Sequence, residues 1–263
     1  MATTIAVLSQ KGGTGKTTTV RTLADVFARI GLDVLAIDLD PQANLSDYYD
    51  VPADAEPTVA DVLDGKARAL DAAYDGVLPA NLRLAESELV LGGKMGREMT
   101  LKRALREAKR RHDVILIDCP PALGLLTVNA LVASDFALVT TEAQYFSLQG
   151  VEQALEVIEL ARDSLHPDLE WLGVVLNIAD LRTIHSREVL EHLRDRFEGK
   201  VFDAVIRQSI RYAESAERGI PILDYRPELG ADYVALAIEV LERAGFGEES
   251  GRASDLRSEL AAA

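Results

Sequence analysis

A glycine-rich stretch, KGGTGKTTT, lies near the start of the chain at residues 11–19. It follows an apolar run typical of a β-strand and precedes the pattern of an amphipathic helix. Glycines in such a turn let backbone N–H groups point at phosphate oxygens, and the helix N-terminus adds a partial positive charge. The stretch therefore predicts a loop that binds the phosphates of a nucleotide.

Two side chains of this loop have the chemistry that phosphates and Mg²⁺ require. Lys16 is expected to reach the β- and γ-phosphates, and Thr17 to be a ligand of Mg²⁺. The common pattern GxxxxGK[ST] is not met literally, because Gln10 occupies its first glycine position. The chain has the variant KGGxGK[ST], with an additional lysine, Lys11. A plain strand-to-helix turn is the alternative, but the agreement in residue type and context favours the nucleotide site.

Carboxylates follow two further strand-like runs. Asp118 ends the apolar run at 115–117 and is expected beside the Mg²⁺. Asp38 and Asp40 end another run and point to the same side if the chain stays extended. One of them is then placed to hold Mg²⁺ through water, and the other to orient the attacking water. A turn or helix cap is the alternative for any single strand-end aspartate, and the phosphate loop favours the catalytic interpretation.

The elements that position these groups alternate along the chain. Apolar strand-like runs alternate with amphipathic helical stretches, which predicts a mostly parallel, twisted sheet with helices on both faces. The expected fold class is thus α/β, a single-domain P-loop NTPase of residues 1–245. Residues 246–263 are expected to be a weakly ordered C-terminal tail. The pattern also predicts a strand at Leu82–Ala85 and a helix with a basic face at Thr100–Arg111.

Composition and charge exclude several classes of protein. The 263 residues include one cysteine, so an intramolecular disulfide is impossible and the cytoplasm is the expected compartment. No apolar run has the ~18–20 residues of a membrane-spanning helix, and the first residues do not read as a signal peptide. The net charge of −15 argues against a surface covered by nucleic acid. Residues 180–230, however, carry nine Arg/Lys against ten Asp/Glu, which leaves room for a local basic surface.

Three motifs together resemble the deviant Walker ATPases of the ParA/Soj/MinD group: KGGTGKTTT at 11–19, DLDPQ at 38–42 and ILIDCPP at 115–121. Two later segments are most similar to the ParA/Soj branch, the chromosome and plasmid partition ATPases: GVVLN at 173–177 and IRQSIRYAESAERGIPI at 206–222. The resemblance spans residues 3–244. It implies ATP hydrolysis as the activity, with ATP and Mg²⁺ as cofactors.

The resemblance also implies roles for individual residues. Lys11 corresponds to the signature lysine that reaches the partner's phosphates in a nucleotide-sandwich dimer, and Asp40 to the residue that positions the hydrolytic water. The expected catalytic residues are therefore Lys11, Lys16 and Asp40, and the expected Mg²⁺ ligands are Thr17, Asp38 and Asp118. The expected nucleotide contacts are Lys11, Gly12, Gly13, Thr14, Gly15, Lys16, Thr17 and Thr18, with Asn177 at the adenine. A strand-end cap is the alternative for Asn177.

The ParA/Soj branch further implies three partners: a second copy of the chain with ATP, DNA bound without sequence preference, and a ParB-like centromere-binding protein. It implies a cytoplasmic, nucleoid-associated protein without membrane attachment. The expected DNA contacts are Arg182, Arg187, Arg211 and Arg218, although such side chains are more often simply solvated. The branch usually reads IPRxVRxxEAPSxG here, and Arg207 replaces the proline, which leaves the DNA-contact set open.

Two alternative functions stay open at this point. In the first, the same ATPase positions a protein cargo, or acts at the membrane as in the MinD branch. Residues 252–263 make a poor membrane anchor, because their basic and acidic side chains alternate and few apolar ones accompany them. The other alternative is a P-loop metabolic ligase or synthase. Lys11 argues against it, since such an enzyme needs no lysine that crosses between subunits.

Overall fold

Seven strands form the sheet of this protein. They are β1 (Thr3–Leu8), β2 (Val34–Asp38), β3 (Val77–Leu78), β4 (Val114–Asp118), β5 (Phe136–Glu142), β6 (Glu170–Ala179) and β7 (Val201–Arg207). The computed structural model describes residues 1–262. The strands lie in the order β3-β2-β4-β1-β5-β6-β7, and every pairing between them is parallel. Their carboxyl ends therefore meet at one edge of the sheet.

Helices cover both faces of this sheet. They are α1 (Lys16–Arg29), α2 (Asn44–Tyr48), α3 (Val59–Asp64), α4 (Arg83–Leu91), α5 (Thr100–Ala104), α6 (Leu125–Ala133), α7 (Ser147–Ser164), α8 (Ile184–Arg196), α9 (Arg211–Glu217), α10 (Ile222–Tyr225), α11 (Pro227–Arg243) and α12 (Gly247–Ala262). Side chains alternate along β1, so that Ile5 and Val7 pack with α1 and α11, while Ala6 and Leu8 pack with α3, α6 and α7. All five residues of β4 are buried, as a strand covered on both faces requires. These observations confirm the predicted fold class.

Two local predictions are wrong. The segment predicted as a strand at Leu82–Ala85 leads into α4, where Leu84, Ser87 and Leu91 are buried at helical spacing. The edge strand is β3, whose two residues are too few to show an alternating pattern. The predicted basic helix at Thr100–Arg111 is interrupted, because α5 ends at Ala104 and only a 3₁₀ turn follows at Ala108–Arg110.

The segment 246–263, expected to be weakly ordered, forms α12 through Ala262. Ala253 is fully buried, and Leu256 and Leu260 pack against the same apolar cluster. These three residues lie at i, i+3 and i+7, so they share one face of the helix. The Arg252 guanidinium also donates to the carbonyl of Ile30 at 2.6 Å. The expectation was wrong because a narrow face with one small residue is enough to dock this helix.

Within residues 1–262, no helix is both long enough and apolar enough to cross a membrane.

Candidate functional site

The loop at residues 9–15 joins the carboxyl end of β1 to the first turn of α1 and contains the glycines of the predicted phosphate-binding stretch, residues 11–19. Gly13 and Gly15 have φ angles of 80° and 82°, in the left-handed region that residues with a Cβ rarely adopt. A Cβ on Gly15 would also lie 2.8 Å from the Nδ2 atom of Asn177. The two glycines therefore allow both the turn and the close packing of the loop on β6.

Lys16 lies inside this loop, where the sequence predicts it. Its side chain is 6% exposed, and its Nζ donates to Ser9 Oγ at 3.1 Å and to the Lys11 carbonyl at 3.2 Å. Burial lowers the pKa of Lys16, and the nearby charge of Asp118 opposes that shift. The loop thus holds a buried cation surrounded by oxygen atoms, at the N-terminus of a helix that favours anions.

Thr14 and Asn177 hold the loop against the sheet. Thr14 Oγ1 lies 2.8 Å from Ser9 Oγ and 3.0 Å from Thr140 Oγ1. Asn177 Nδ2 donates to the Thr14 carbonyl at 2.9 Å and to Thr19 Oγ1 at 3.2 Å. Asn177 therefore supports the loop, and its proposed contact with adenine stays a prediction. Its Oδ1 is buried and accepts no hydrogen bond from the described residues.

Thr17 and Asp118 form the closest pair of predicted Mg²⁺ ligands. Thr17 Oγ1 donates to Asp118 Oδ2 at 2.6 Å, and Asp118 Oδ1 is buried without a hydrogen-bond partner among residues 1–262. Within the same residues, no three His, Cys, Asp or Glu side chains form a metal site. Mg²⁺ commonly uses one or two carboxylates and completes its shell with phosphate and water. A hydroxyl beside a carboxylate with an unused oxygen fits that requirement.

Asp38 lies directly across from Asp118 in the register of β2 and β4. Burial raises the pKa of Asp38 to about 6, and burial together with the charge of Asp38 raises that of Asp118 well above its ordinary value. Two neighbouring buried carboxylates repel each other, and a divalent cation would relieve that repulsion. The electrostatics therefore also fit a metal site.

Asp38 and Asp40 have different surroundings although they are two residues apart. Asp38 Oδ2 accepts from the Ser46 N–H at 2.9 Å and from its hydroxyl at 2.7 Å, and Oδ1 accepts from the Asp40 N–H at 3.1 Å. Asp38 thus anchors the loop after β2 to α2. Asp40 is only half-buried, and within residues 1–262 its carboxylate accepts one hydrogen bond, from the Gln42 N–H at 3.0 Å. Asp40 is therefore the carboxylate with room to bind a water molecule.

Lys11 faces away from the interior of the loop. Its backbone carbonyl accepts the hydrogen bond from Lys16, but its own ammonium group lies 5.5 Å from the centroid of the Phe146 ring. Phe146 is 55% exposed and stands edge-to-face with Tyr145, which is 84% exposed. Gly12 is exposed and Thr18 is half-buried. Their contacts with a nucleotide stay predictions, as does the role of Lys11 between subunits.

The four arginines predicted to contact DNA follow the carboxyl ends of neighbouring strands, β6 and β7. Three of them already have a partner within the chain. Arg182 makes two bonds of 2.8 Å to Asp180, Arg211 lies 2.6 Å from Glu214, and Arg218 stacks 5.3 Å from the Tyr225 ring. Arg187 is exposed and has no ion pair within residues 1–262. The structure thus brings these side chains to one end of the sheet, mostly in paired form.

Two contributors to the site were missed from the sequence. Ser9 follows β1 directly and bonds to both Thr14 and Lys16. Its position directly before the glycine-rich stretch was the one feature of the sequence that could have indicated its role in the site. Ser46 lies on α2, eight residues after Asp38, and nothing in the sequence pattern indicates that the chain folds back to place it there.

Several known proteins are similar to this chain over most of its length. A family model described as an AAA domain matches residues 2–171. The chain is 40% identical over 249 residues to the sporulation initiation inhibitor protein Soj of Bacillus subtilis, covering 91% of this chain and 98% of that protein. It is 39% identical over 250 residues to the chromosome partitioning protein ParA of Caulobacter vibrioides, with coverage of 91% and 94%.

A solved structure, cobyrinic acid a,c-diamide synthase from Mycobacterium smegmatis with bound ADP and magnesium, superimposes with a TM-score of 0.75. It is 38% identical and covers 82% of this chain and 93% of that one. The phosphate loop, the paired carboxylates and these similarities over nearly the whole chain lead to one conclusion. The chain belongs to the ParA/Soj group of P-loop ATPases, enzymes that bind ATP with Mg²⁺ and hydrolyse it.

Proposed function

We propose that this chain is a partition ATPase that moves a chromosome or a plasmid. ATP joins two copies into a sandwich dimer, the dimer binds DNA without sequence preference on the nucleoid, and a ParB-like protein stimulates hydrolysis and releases the dimer. The observation that carries the proposal is the opposite placement of the two lysines in one loop. Lys16 is bonded inside the loop, whereas the ammonium group of Lys11 points away from it, toward Phe146.

Different residues of the chain bind the phosphates and orient the water that hydrolyses ATP. Lys16 and the loop N–H groups bind the phosphates, and Lys11 of each subunit contacts the phosphates of the other. When bound, Mg²⁺ neutralises phosphate charge, with Thr17 and Asp118 as its protein ligands. Asp40 orients water against the γ-phosphorus, the bond to the bridging oxygen of ADP breaks, and inorganic phosphate leaves. Losing such an orienting group slows chemistry more than it weakens binding.

The proposal explains how an acidic protein can bind DNA. Each phosphate contact of an arginine releases about one counterion, so a few contacts in a monomer give weak binding that salt abolishes. A dimer doubles the contacts that one duplex meets, and the second set binds at a high effective concentration. Affinity for DNA is therefore expected to rise steeply with ATP. The ion pairs of Arg182 and Arg211 must then exchange a carboxylate for a DNA phosphate.

A metabolic synthase is the second candidate, because a structure with that name is 38% identical to this chain. The two functions differ in what ATP turnover requires. A partition ATPase hydrolyses ATP without a small-molecule substrate, and duplex DNA with the ParB-like protein of the same genome accelerates it. A synthase needs its acid substrate and an amide donor. ATP hydrolysis that depends on such substrates and ignores DNA would favour the synthase.

The DNA-binding step is tested by anisotropy of a labelled duplex with and without ATP. We expect ATP-enhanced binding that weakens with salt, and substitution of Arg187, Arg211 or Arg218 by Glu is expected to abolish the ATP-dependent part. Arg162→Glu is the matched control, since Arg162 is an exposed, ion-paired arginine of α7. Nucleotide binding should be unchanged in all four variants. Absence of ATP-dependent DNA binding by the unmodified protein would contradict the nucleoid model and favour another cargo.

A further inference from the structure

Arg21 is a buried arginine of α1, five residues after Lys16. It is 3% exposed, although arginine is almost never so deeply buried without a charged partner. Among residues 1–262, no carboxylate bonds to it, and its side chain donates one hydrogen bond, to Ser215 Oγ at 2.5 Å. Burying a charge in this way is costly. The contacts of the guanidinium therefore bear directly on its role.

The guanidinium of Arg21 joins α1 to two other elements. Its Cζ lies 3.6 Å from the ring centroid of Tyr48 on α2, the distance of direct stacking. Its Nη2 donates to Ser215 on α9, and the Ser215 hydroxyl in turn donates to the Ile220 carbonyl at 2.6 Å. A planar guanidinium with one nitrogen bonded and one face on a ring has little freedom to turn. Arg21 thus fixes the position of the Tyr48 ring.

The helix α2 depends on contacts of this kind for its orientation. It is five residues long, too short to be stable without tertiary contacts. Ala43, directly before it, has a φ angle of 57°, a conformation that persists only where the surroundings hold it. Ser46 bonds the first half of α2 to Asp38, and Arg21 stacks on Tyr48 at its last residue. The two attachments together fix both ends of the helix.

The orientation of α2 bears on Asp40 through the intervening turn. The Ala43 N–H donates to the Asp40 carbonyl at 2.9 Å, which closes the turn before α2. The Asp40 N–H donates to Asp38 Oδ1 at 3.1 Å, and Asp38 is the residue that Ser46 holds. A tilt of α2 would therefore displace the Asp40 carboxylate. A misplacement of about 1 Å in a group that orients a reactant can cost about 10²-fold in rate.

We propose that Arg21 is a positioning residue for ATP hydrolysis, which acts through Tyr48 and α2 to hold Asp40 against the attacking water. The inference rests on the proposed role of Asp40 and is independent of DNA and of any partner protein. Tyr48 and Ser215, the two contacts of the guanidinium, are not among the predicted nucleotide contacts. Loss of Arg21 should therefore slow the chemical step and leave ATP affinity unchanged.

The test variant is Arg21→Met, which fills most of the space of the arginine and removes its guanidinium. Phosphate release under single-turnover conditions, without DNA, is expected to slow about 10- to 100-fold. Titration with a fluorescent ATP analogue and sedimentation with ATP are expected to match the unmodified protein. The matched control is Arg29→Met on the same helix, because Arg29 pairs with Asp25 at 3.0 Å and with Asp224 of α10 at 2.6 Å. The control should keep the normal rate.

Tyr48→Leu tests the same contact from the side of α2, and it decides the matter if Arg21→Met does not fold. It should slow phosphate release by a similar factor. The double variant R21M/Y48L should be no slower than the slower single variant, because both changes remove one interaction. Hydrogen exchange of the amides at residues 40–48 gives a readout besides activity. Exchange there should be faster in Arg21→Met than in Arg29→Met.

Asp40→Ala is measured in parallel, so that failure of the inference is distinguished from failure of the proposed role of Asp40. If Asp40→Ala is slow while Arg21→Met and Tyr48→Leu are normal, the inference fails and the role of Asp40 stands. If Asp40→Ala hydrolyses ATP at the normal rate, the role of Asp40 fails and the inference fails with it. Equal slowing by Arg21→Met and Arg29→Met, or a loss of ATP affinity in Arg21→Met, would also overturn the inference.

Discussion

The ammonium group of Lys11 lies 5.5 Å from the ring centroid of Phe146, while Lys16 of the same loop donates to the Lys11 carbonyl at 3.2 Å. The side chain of Lys16 therefore points into the loop, and that of Lys11 points out of it. The contact with Phe146 is a cation–π interaction, which at an exposed site contributes about 0.5–1 kcal/mol. That is weak enough for Lys11 to leave the ring, as its proposed contact with the ATP phosphates of a second subunit requires.

Lys16→Ala is expected to lose nucleotide affinity in the monomer, because the buried cation of the loop is removed. Lys11→Ala is expected to keep monomer binding and to lose the ATP-dependent dimer. Titration with a fluorescent ATP analogue measures the first property, and sedimentation with ATP measures the second. Equal loss of nucleotide binding in both variants would refute the separate roles.

Asp40→Ala is expected to bind ATP and dimerise normally but to hydrolyse ATP about 10²–10⁴-fold more slowly. Among residues 1–262, the Asp40 carboxylate accepts one hydrogen bond, from the Gln42 N–H, so its removal leaves the surrounding loop largely supported. Phosphate release under single-turnover conditions gives the rate. A variant that no longer dimerises with ATP would show that Asp40 has a structural role instead.

The buried pair Asp38 and Asp118 predicts a pH dependence of the nucleotide-free protein. The folded-state pKa of Asp38 is raised from 3.8 to about 6, so its stabilising contribution is fully present below pH 3.8 and is lost as the pH rises to about 6. Two pKa units correspond to about 3 kcal/mol. Urea unfolding between about pH 4 and 7 measures the trend.

Asp118→Asn separates this effect from the rest of the chain. The asparagine Oδ1 can still accept from Thr17, and the amide group, which is close in size to a carboxylate oxygen, replaces the buried Oδ1 atom that has no hydrogen-bond partner among residues 1–262. Without the charge of Asp118, the nucleotide-free variant should be about 1–3 kcal/mol more stable at neutral pH, and this gain should shrink toward acid. Its affinity for Mg²⁺ with ATP should fall. A variant less stable than the unmodified protein at neutral pH would contradict the assigned repulsion.

Arg21 is a buried cation without a carboxylate bonded to it among the described residues. It lies on α1 at 3% exposure, 3.6 Å from the Tyr48 ring centroid, and donates to Ser215 Oγ at 2.5 Å. Arg21→Ala is expected to lower the free energy of unfolding by about 2–4 kcal/mol, as other large-to-small changes in a core do.

Arg21→Met is the matched comparison for that cavity. It fills most of the space and removes a charge whose pKa burial already lowers, so its stability should stay close to that of the unmodified protein. Ser215 keeps its bond to the Ile220 carbonyl at 2.6 Å in either variant. Thermal unfolding of both variants tests this expectation. If Arg21→Met lost as much stability as Arg21→Ala, the charge itself would stabilise the core.

The nucleotide site could be predicted from the sequence because most of its parts are local. The phosphate loop is one continuous stretch, and Asp38 and Asp118 end apolar runs whose carboxyl ends must meet in a parallel sheet. The α/β fold class was predicted from the alternation of apolar strand-like runs with amphipathic helical stretches. The segment at 246–263 was misjudged because docking of α12 depends on the surface of α11 and on the Ile30 carbonyl, neither of which shows in its own pattern.

Tertiary structure alone decided which partner each polar group receives. Composition placed six positive charges at 102–111, but only the tertiary structure leaves Arg106 and Arg110 exposed without an ion pair among residues 1–262. The resemblance to the ParA/Soj group implied Asn177 as an adenine contact, which stays a prediction, and the fold places its amide against the Thr14 carbonyl, 163 residues away in the chain. Hydrophobic periodicity determines helices and strands over a few residues, whereas hydrogen bonds and ion pairs form wherever packing brings complementary groups together.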